Sequence, residues 1–137
     1  MDKLHILSTN QTPEFLFNPE GIIKIQGRGL FNDKPEEYNQ IINWIDTYQK
    51  NPARVTSVTI AFEYLNSLST IILVSILQNL AQIPRQSKSL LIKWYYEEDD
   101  EEILERGKYI SFSFAPIKFA TCKRAFSKAS LDIIPNE

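Results

Sequence analysis

The chain holds one cysteine, Cys122, and one histidine, His5. A disulfide framework is thereby excluded, and so is any zinc cage that needs four Cys and His ligands. A Ser/His or Cys/His catalytic pair would have to draw on His5, which lies in a short apolar run and reads as a packed or surface strand residue. Cys122 stands among Lys118, Lys123 and Arg124, cations of the kind that lower a thiol pKa. The plainer reading is an ordinary reduced thiol in a cytoplasmic protein. Glycine is scarce, with four residues, and Gly27-Arg28-Gly29 lacks the further glycine or Gly-Lys-Ser/Thr of a phosphate loop, so it reads as a turn. Charge of one sign is missing too. Fifteen Lys+Arg against seventeen Asp+Glu give a net charge of −2, which leaves no basic field for a nucleic acid. Long hydrophobic runs are absent: the longest purely aliphatic one is residues 71–74, against the roughly 20 residues that span a bilayer. Residues 1–5 show no apolar signal core, so neither secretion nor a membrane span is expected.

What is present is enough for one folded domain, residues 1–137, with 43% apolar and 12% aromatic residues and no repeat or low-complexity linker. Residues 4–7 form a short apolar run. Phe15-Leu16-Phe17 and residues 22–25 flank Asn18-Pro19-Glu20-Gly21, where Pro at the second turn position and Gly at the fourth fit a type I turn, so a hairpin is expected. Pro35 at a first helical position, after Asp33-Lys34 and before Glu36 and Glu37, predicts a helix to about Lys50 with Tyr38, Ile41, Ile42, Ile45 and Tyr48 on its apolar face.

Between residues 54 and 62, Val58, Ile60 and Phe62 alternate with Ser57, Thr59 and Ala61, the period of a strand whose small face would let a helix approach. Asn66 and Ser67 offer cap residues for a helix running to about Ile83, before Pro84. Leu68, Ile72, Leu73, Ile76, Leu77 and Leu80 make its buried stripe. A strand over 90–96 follows, then the acidic run 97–102, then a short helix that Gly107 is expected to stop. Alternation at Ile110, Phe112 and Phe114 predicts a last strand, and 118–128 a terminal helix. Helices between single strands require crossovers, hence an α/β fold with a mixed sheet, an N-terminal hairpin and three to four flanking helices.

Two features invite chemistry. The run Glu97-Glu98-Asp99-Asp100-Glu101-Glu102 carries six carboxylates and leaves the rest of the chain at +4. Its main reading is a solvated helix start. An acidic surface for a basic partner, or a small metal-dependent enzyme or binding protein, is the alternative, although the run lacks the glycine and spacing of a calcium loop. Ser67 is the more informative residue. It follows a strand end and sits at a helix N-terminus, so it is either a cap or a phosphorylation site. Ile71 and Val74, one and two turns on, fall outside the main buried stripe and would give a docking surface beside it. Asn66, Leu68 and Ser69 complete the candidate partner-binding set with Ile71 and Val74.

Thr12-Pro13 with the hairpin, Glu63-Tyr64-Leu65-Asn66-Ser67-Leu68-Ser69 at a strand-to-helix junction, Trp94-Tyr95-Tyr96-Glu97-Glu98-Asp99-Asp100-Glu101 and Gly107 together resemble the bacterial SiaC family of regulatory phosphoproteins, up to about Phe114. The resemblance implies a STAS-like fold, as in anti-sigma-factor antagonists, and a non-enzymatic partner switch without cofactor. It implies a dedicated serine/threonine-type kinase acting on Ser67, a PP2C-type phosphatase, and a target bound by the unphosphorylated form, the best-known target being a diguanylate cyclase that makes cyclic di-GMP. Three positions depart from the family pattern, which usually has Thr at 67, Ser at 68 and commonly Lys at 71. Ser67 keeps the acceptor chemistry. Ile71 removes a positive charge and makes the ridge more apolar, which points to a different client.

Overall fold

In the computed structural model, residues 1–29, 35–115 and 117–124 are described. Chain order gives β1 (Leu4–Ile6), β2 (Glu14–Asn18), β3 (Ile22–Gly29), α1 (Pro35–Tyr48), β4 (Val55–Leu65), α2 (Ser67–Leu80), a 3₁₀ turn (Ile83–Gln86), β5 (Ser89–Glu97), α3 (Glu101–Phe112) and β6 (Lys118–Arg124). They build a six-stranded mixed sheet in the order β1-β2-β3-β4-β5-β6, with β1, β2 and β3 antiparallel and β3 to β6 parallel. The expected hairpin closes with Gly21 N–H donating to the Asn18 carbonyl at 3.0 Å and Glu20 N–H to Asn18 Oδ1 at 2.9 Å. Gly21 has φ +105°, and a Cβ there would meet the Val55 carbonyl oxygen at 2.3 Å. Glycine is therefore required on both conformational and steric grounds.

Each parallel step moves in the same direction along the sheet, so right-handed crossovers place all three helices on one face. That face is the core. Phe17, Ile23, Val58 and Ile92 are register partners across four strands and are fully buried. Trp44 of α1 packs on Phe17 with ring centroids 5.2 Å apart, and Ile41, Ile45, Leu73 and Leu77 are buried as expected. Polar bonds also tie the core together: Tyr48 shares a 2.7 Å hydrogen bond with Thr56 and accepts from Ala53 N–H, and Tyr38 meets Ser75 at 2.7 Å to join α1 to α2. Counting the 3₁₀ turn, residues 67–86 are long and apolar enough to cross a membrane by composition. Leu73, Ile76, Leu77 and Leu80 are instead fully buried in the protein core.

The structure corrects several expectations. The small face of β4 points away from the helices, where Thr59 has Lys24 and Lys93 as register partners and Ala61 has Gln26 and Tyr95; the helices lie on the large-residue side. Leu68 is 53% exposed and does not belong to the buried stripe. Residues 110–112 are helical, with the last strand at Lys118–Arg124 where a helix was expected. Two periodicities compete there: 110, 112 and 114 alternate, but Ile103, Gly107, Ile110 and Phe114 recur at helical spacing, and these four are the buried ones. Asp100 decides the outcome by capping α3, its Oδ1 accepting from Ile103 N–H at 3.1 Å. The crossover α3 then delivers β6 to the sheet edge, where Lys118 and Lys123 are exposed and discourage further strand pairing. Asp33-Lys34, ahead of the expected start of α1, and the end of the expected terminal helix, 125–128, lie outside the described residues.

Gly107 does not stop a helix; it lies inside α3. A Cβ there would sit 2.5 Å from Cδ1 and Nε1 of Trp94, whose indole N–H donates to the Ile103 carbonyl at 3.0 Å. Close approach of helix to indole is why the position is glycine. Gly107→Ala should therefore destabilise the fold by about 1–3 kcal/mol through overpacking, although alanine is the better helix former by about 1 kcal/mol. Urea unfolding of the two proteins checks it, and a stabilised variant would contradict the packing argument.

Candidate functional site

The site forms where β4 ends. The parallel ladder slips between Gly27 and Arg28, so that Gly27 pairs with Phe62 and Arg28 with Tyr64, leaving Glu63 without an opposite residue. Such a bulge re-aims the strand end. Arg28 lies over the Tyr64 ring at 5.6 Å, and Leu65 is buried. The chain then turns into α2 through Asn66, in extended conformation at φ −84° and ψ 176°, whose Oδ1 accepts from Ser69 N–H at 2.8 Å. Asn66 is the cap, and Ser67 is the first residue of the helix. Ser67 is exposed, and the positive end of α2 lies at its hydroxyl.

Around this point α2 and α3 leave an open groove of about 870 Å³, lined in part by Ser67, Thr70, Ile71, Arg106, Tyr109 and Phe112. Three large apolar side chains there face solvent: Ile71 is 67%, Tyr109 78% and Phe112 83% exposed. An apolar surface of this kind is what a docking site needs. Arg106 reaches from α3 to the junction, with Nη1 donating to the Leu65 carbonyl and to Thr70 Oγ1 at 3.3 Å, and Nη2 lying 3.5 Å from Glu102 Oε1. Thr70 in turn donates to the Asn66 carbonyl at 2.8 Å.

Of the candidate partner-binding set, Leu68 and Ile71 are exposed on the first turns of α2 next to Ser67, and Asn66 is half-buried beside them. Ser69 is fully buried, because its backbone is drawn in by the Asn66 cap, and it presents nothing to a partner. Val74 is half-buried and packs on the core, so the free ridge ends at Ile71. Phe112 escaped the sequence reading because a strand over 110–114 would have put it elsewhere, and Arg106 and Tyr109 because the helix was expected to end at Gly107. Written as a helix, residues 102, 105, 109 and 112 make a stripe at spacings of three and four, and that pattern was the available signal.

The other candidates are occupied by local roles. His5 Nε2 lies 2.6 Å from Glu14 Oε2. Burial pushes the Glu14 carboxyl up, but the hydrogen bonds from His5 and Gln26 together with the charges of His5 and Lys24 outweigh it and hold it below its ordinary value. Burial pushes the Cys122 thiol up, against a weaker opposing effect of Lys93, so the neighbouring cations do not activate it. The acidic run is dispersed over three settings. Glu97 ends β5 and pairs with Arg124 at 3.3 Å, Asp100 caps α3, and Glu101 and Glu102 sit on its first turn. Among the described residues no group of three His, Cys, Asp or Glu side chains converges to hold a metal.

The family model for the SiaC family regulatory phosphoprotein matches residues 6–124. The chain belongs to the SiaC family. A Pseudomonas aeruginosa (strain UCBPP-PA14) protein described as uncharacterized is 25% identical over 120 residues, covering 84% of this chain and 95% of its own. Among solved structures, SiaC of Pseudomonas aeruginosa superposes with a TM-score of 0.77 at 21% identity, covering 90% of this chain and 100% of its own. A second match, from a crystal structure of the diguanylate cyclase SiaD in complex with its activator SiaC from the same organism, has a TM-score of 0.76 at 22% identity and covers 88% of this chain and 99% of its own. The mixed α/β fold expected from the sequence is thus the SiaC fold.

Two outcomes follow from the geometry. Asn66→Ala should cost about 0.5–2 kcal/mol by removing the cap of α2, whereas Ser67→Ala should stay within about 0.5 kcal/mol, as exposed substitutions away from structural features do; chemical denaturation separates them, and equal losses would return the cap to Ser67. Calorimetric titration with calcium or magnesium should give a dissociation constant weaker than about 10 µM, since the run lacks the converging neutral oxygens of a tight site. Tighter binding would revive the metal-dependent alternative.

Proposed function

We propose that this protein is a non-enzymatic partner switch of the cytoplasm, reversibly phosphorylated on Ser67, whose unphosphorylated form binds and regulates a target protein through the groove between α2 and α3. The observation that carries the reading is the division of labour at the β4–α2 junction: Asn66 supplies the cap, which leaves the exposed Ser67 out of that role, and Ser67 lines the same groove as Ile71, Tyr109 and Phe112. A serine/threonine-type kinase and a PP2C-type phosphatase would write and erase the mark, as the family resemblance implies. The target is a diguanylate cyclase or a protein of comparable docking surface, an assignment supported by the relative described as the activator of SiaD. Regulation of a signalling partner also fits a family of regulatory phosphoproteins.

Electrostatics gives the switch its sign. A phosphate of about −1.5 to −2 charge at the first residue of α2 meets the positive end of the helix, worth about 0.3–1 kcal/mol in its favour, so the fold survives modification. Against a partner the balance reverses. Burying an ionic group that the partner does not pair costs several kcal/mol, and about 2.7 kcal/mol already means a hundredfold weaker complex. The apolar Ile71, in place of the family's usual lysine, adds contact area to the unmodified surface and supplies no charge to neutralise the mark.

The affinity of a captured cyclase for unmodified and stoichiometrically Ser67-phosphorylated protein tests this, with both melting temperatures recorded. We expect at least about a hundredfold weaker binding after phosphorylation, melting temperatures within a few degrees, and constitutive binding by Ser67→Ala. Ile71→Lys should weaken the unmodified complex without unfolding the protein. Equal affinities of the two forms, or a phosphate found elsewhere in the chain, would remove Ser67 from the mechanism.

A further inference from the structure

We propose that Arg106 is the receptor for the Ser67 phosphate: it latches α3 to the β4–α2 junction in the unmodified protein and transfers its guanidinium to the phosphate once the mark is present. The inference rests on the reading of Ser67 as the phosphoacceptor. Its own basis is the set of groups that Arg106 already engages. Nη1 donates to the Leu65 carbonyl and to the Thr70 hydroxyl at 3.3 Å, so its two acceptors bracket Ser67 along the chain, two residues before it and three after. Ser67, Thr70 and Arg106 line the same groove. A guanidinium held in this place is set to meet an anion on the intervening residue.

The existing partners are the kind a phosphate displaces. Glu102, at 3.5 Å and with 79% of its side chain exposed, is a long, solvated ion pair of little net worth. Thr70 keeps its own bond to the Asn66 carbonyl at 2.8 Å without help from Arg106. A phosphate dianion is a stronger acceptor than a hydroxyl or a backbone carbonyl and matches the planar fork of arginine. The base of the side chain is fixed, because the next residue is Gly107, packed on Trp94, so only the outer part has to move. The surrounding charges leave Arg106 as the receptor. No residue of α2 from 67 to 80 is ionisable, Glu63 at the end of β4 is acidic, Arg28 lies over the Tyr64 ring, and Lys108, which also lines the groove and lies 3.6 Å from Glu105, offers a point charge in place of the planar fork. Moving Arg106 to the phosphate releases Glu102, so the groove rim gains a free carboxylate in addition to the phosphate's own charge.

Full-length protein with phosphoserine placed at position 67 during translation tests the latch without kinase or partner. Phosphorus-31 NMR across a pH series reads the second ionisation of the phosphate, ordinarily near pH 6. A paired guanidinium favours the dianion, so the phosphate of the native chain should titrate about one unit lower. It should return most of the way in Arg106→Gln and fall between in Arg106→Lys, which keeps the charge but not the fork. The Arg106 side-chain N–H resonances should also shift between unmodified and phosphorylated protein. Should Arg106→Gln fail to fold, the lysine variant and the side-chain resonances still decide the matter. Identical phosphate titrations in the native chain and the variants, or Arg106 resonances that ignore the phosphate, would overturn the proposal. The two readings fail separately: a phosphate held by Arg106 with no effect on partner binding sinks the switch and leaves the latch, and weakened binding with an Arg106-independent titration does the reverse.

Discussion

The close approach of α3 to the indole of Trp94, allowed because residue 107 has no side chain, sets the position of everything at the site. With Gly107 against the ring and the Ile103 carbonyl taking the indole N–H, the neighbouring positions of α3 have no freedom to choose their faces. Ile103 and Ile110 go inward, Tyr109 and Phe112 go outward, and Arg106 is brought to the end of β4. The groove between α2 and α3 is a consequence of this packing. Protein interiors are close-packed, so a methyl group added at such a contact moves the helix, and a moved helix displaces Arg106 from the carbonyl it caps.

The second constraint is the end of β4. A bulge turns the strand, Asn66 satisfies the first turn of α2, and Ser67 is left at a helix terminus where the field favours negative charge. In the proposed switch, structure and regulation fall to adjacent residues. If Ser67 were itself the cap, phosphorylation would disturb the helix it was holding. With Asn66 in that role, the proposed phosphate on Ser67 would leave the cap in place, and its effect would fall on the surface around it.

Much of this arrangement was legible in the amino-acid sequence. The hairpin turn at Asn18-Pro19-Glu20-Gly21, the apolar faces of α1 and α2, the alternation in β4 and the cap at Asn66 all follow from local rules that the tertiary structure does not override. The order of strands and helices was also right, but its last strand belonged to other residues. Residues 110–114 satisfy two periods at once, and the Asp100 cap together with the contact of Gly107 with Trp94, more than ten residues apart, selects the helix. The same non-local contact hid Tyr109, Phe112 and Arg106 from the sequence reading. Ser69 and Val74 failed as surface residues for a related reason: the buried sector of α2 is set by where the sheet and α1 lie, and that is wider than the stripe its leucines mark.

The central claim is that the partner sits on the surface made by the start of α2 and the outer side of α3. Hydrogen exchange of the unmodified full-length protein, alone and bound to a captured cyclase, addresses it directly. The account predicts added protection in residues 66–72 and 105–112, with the open sheet face of β4 and β5 unchanged. Protection confined to that open face, with both helical segments exchanging as in the free protein, would contradict it.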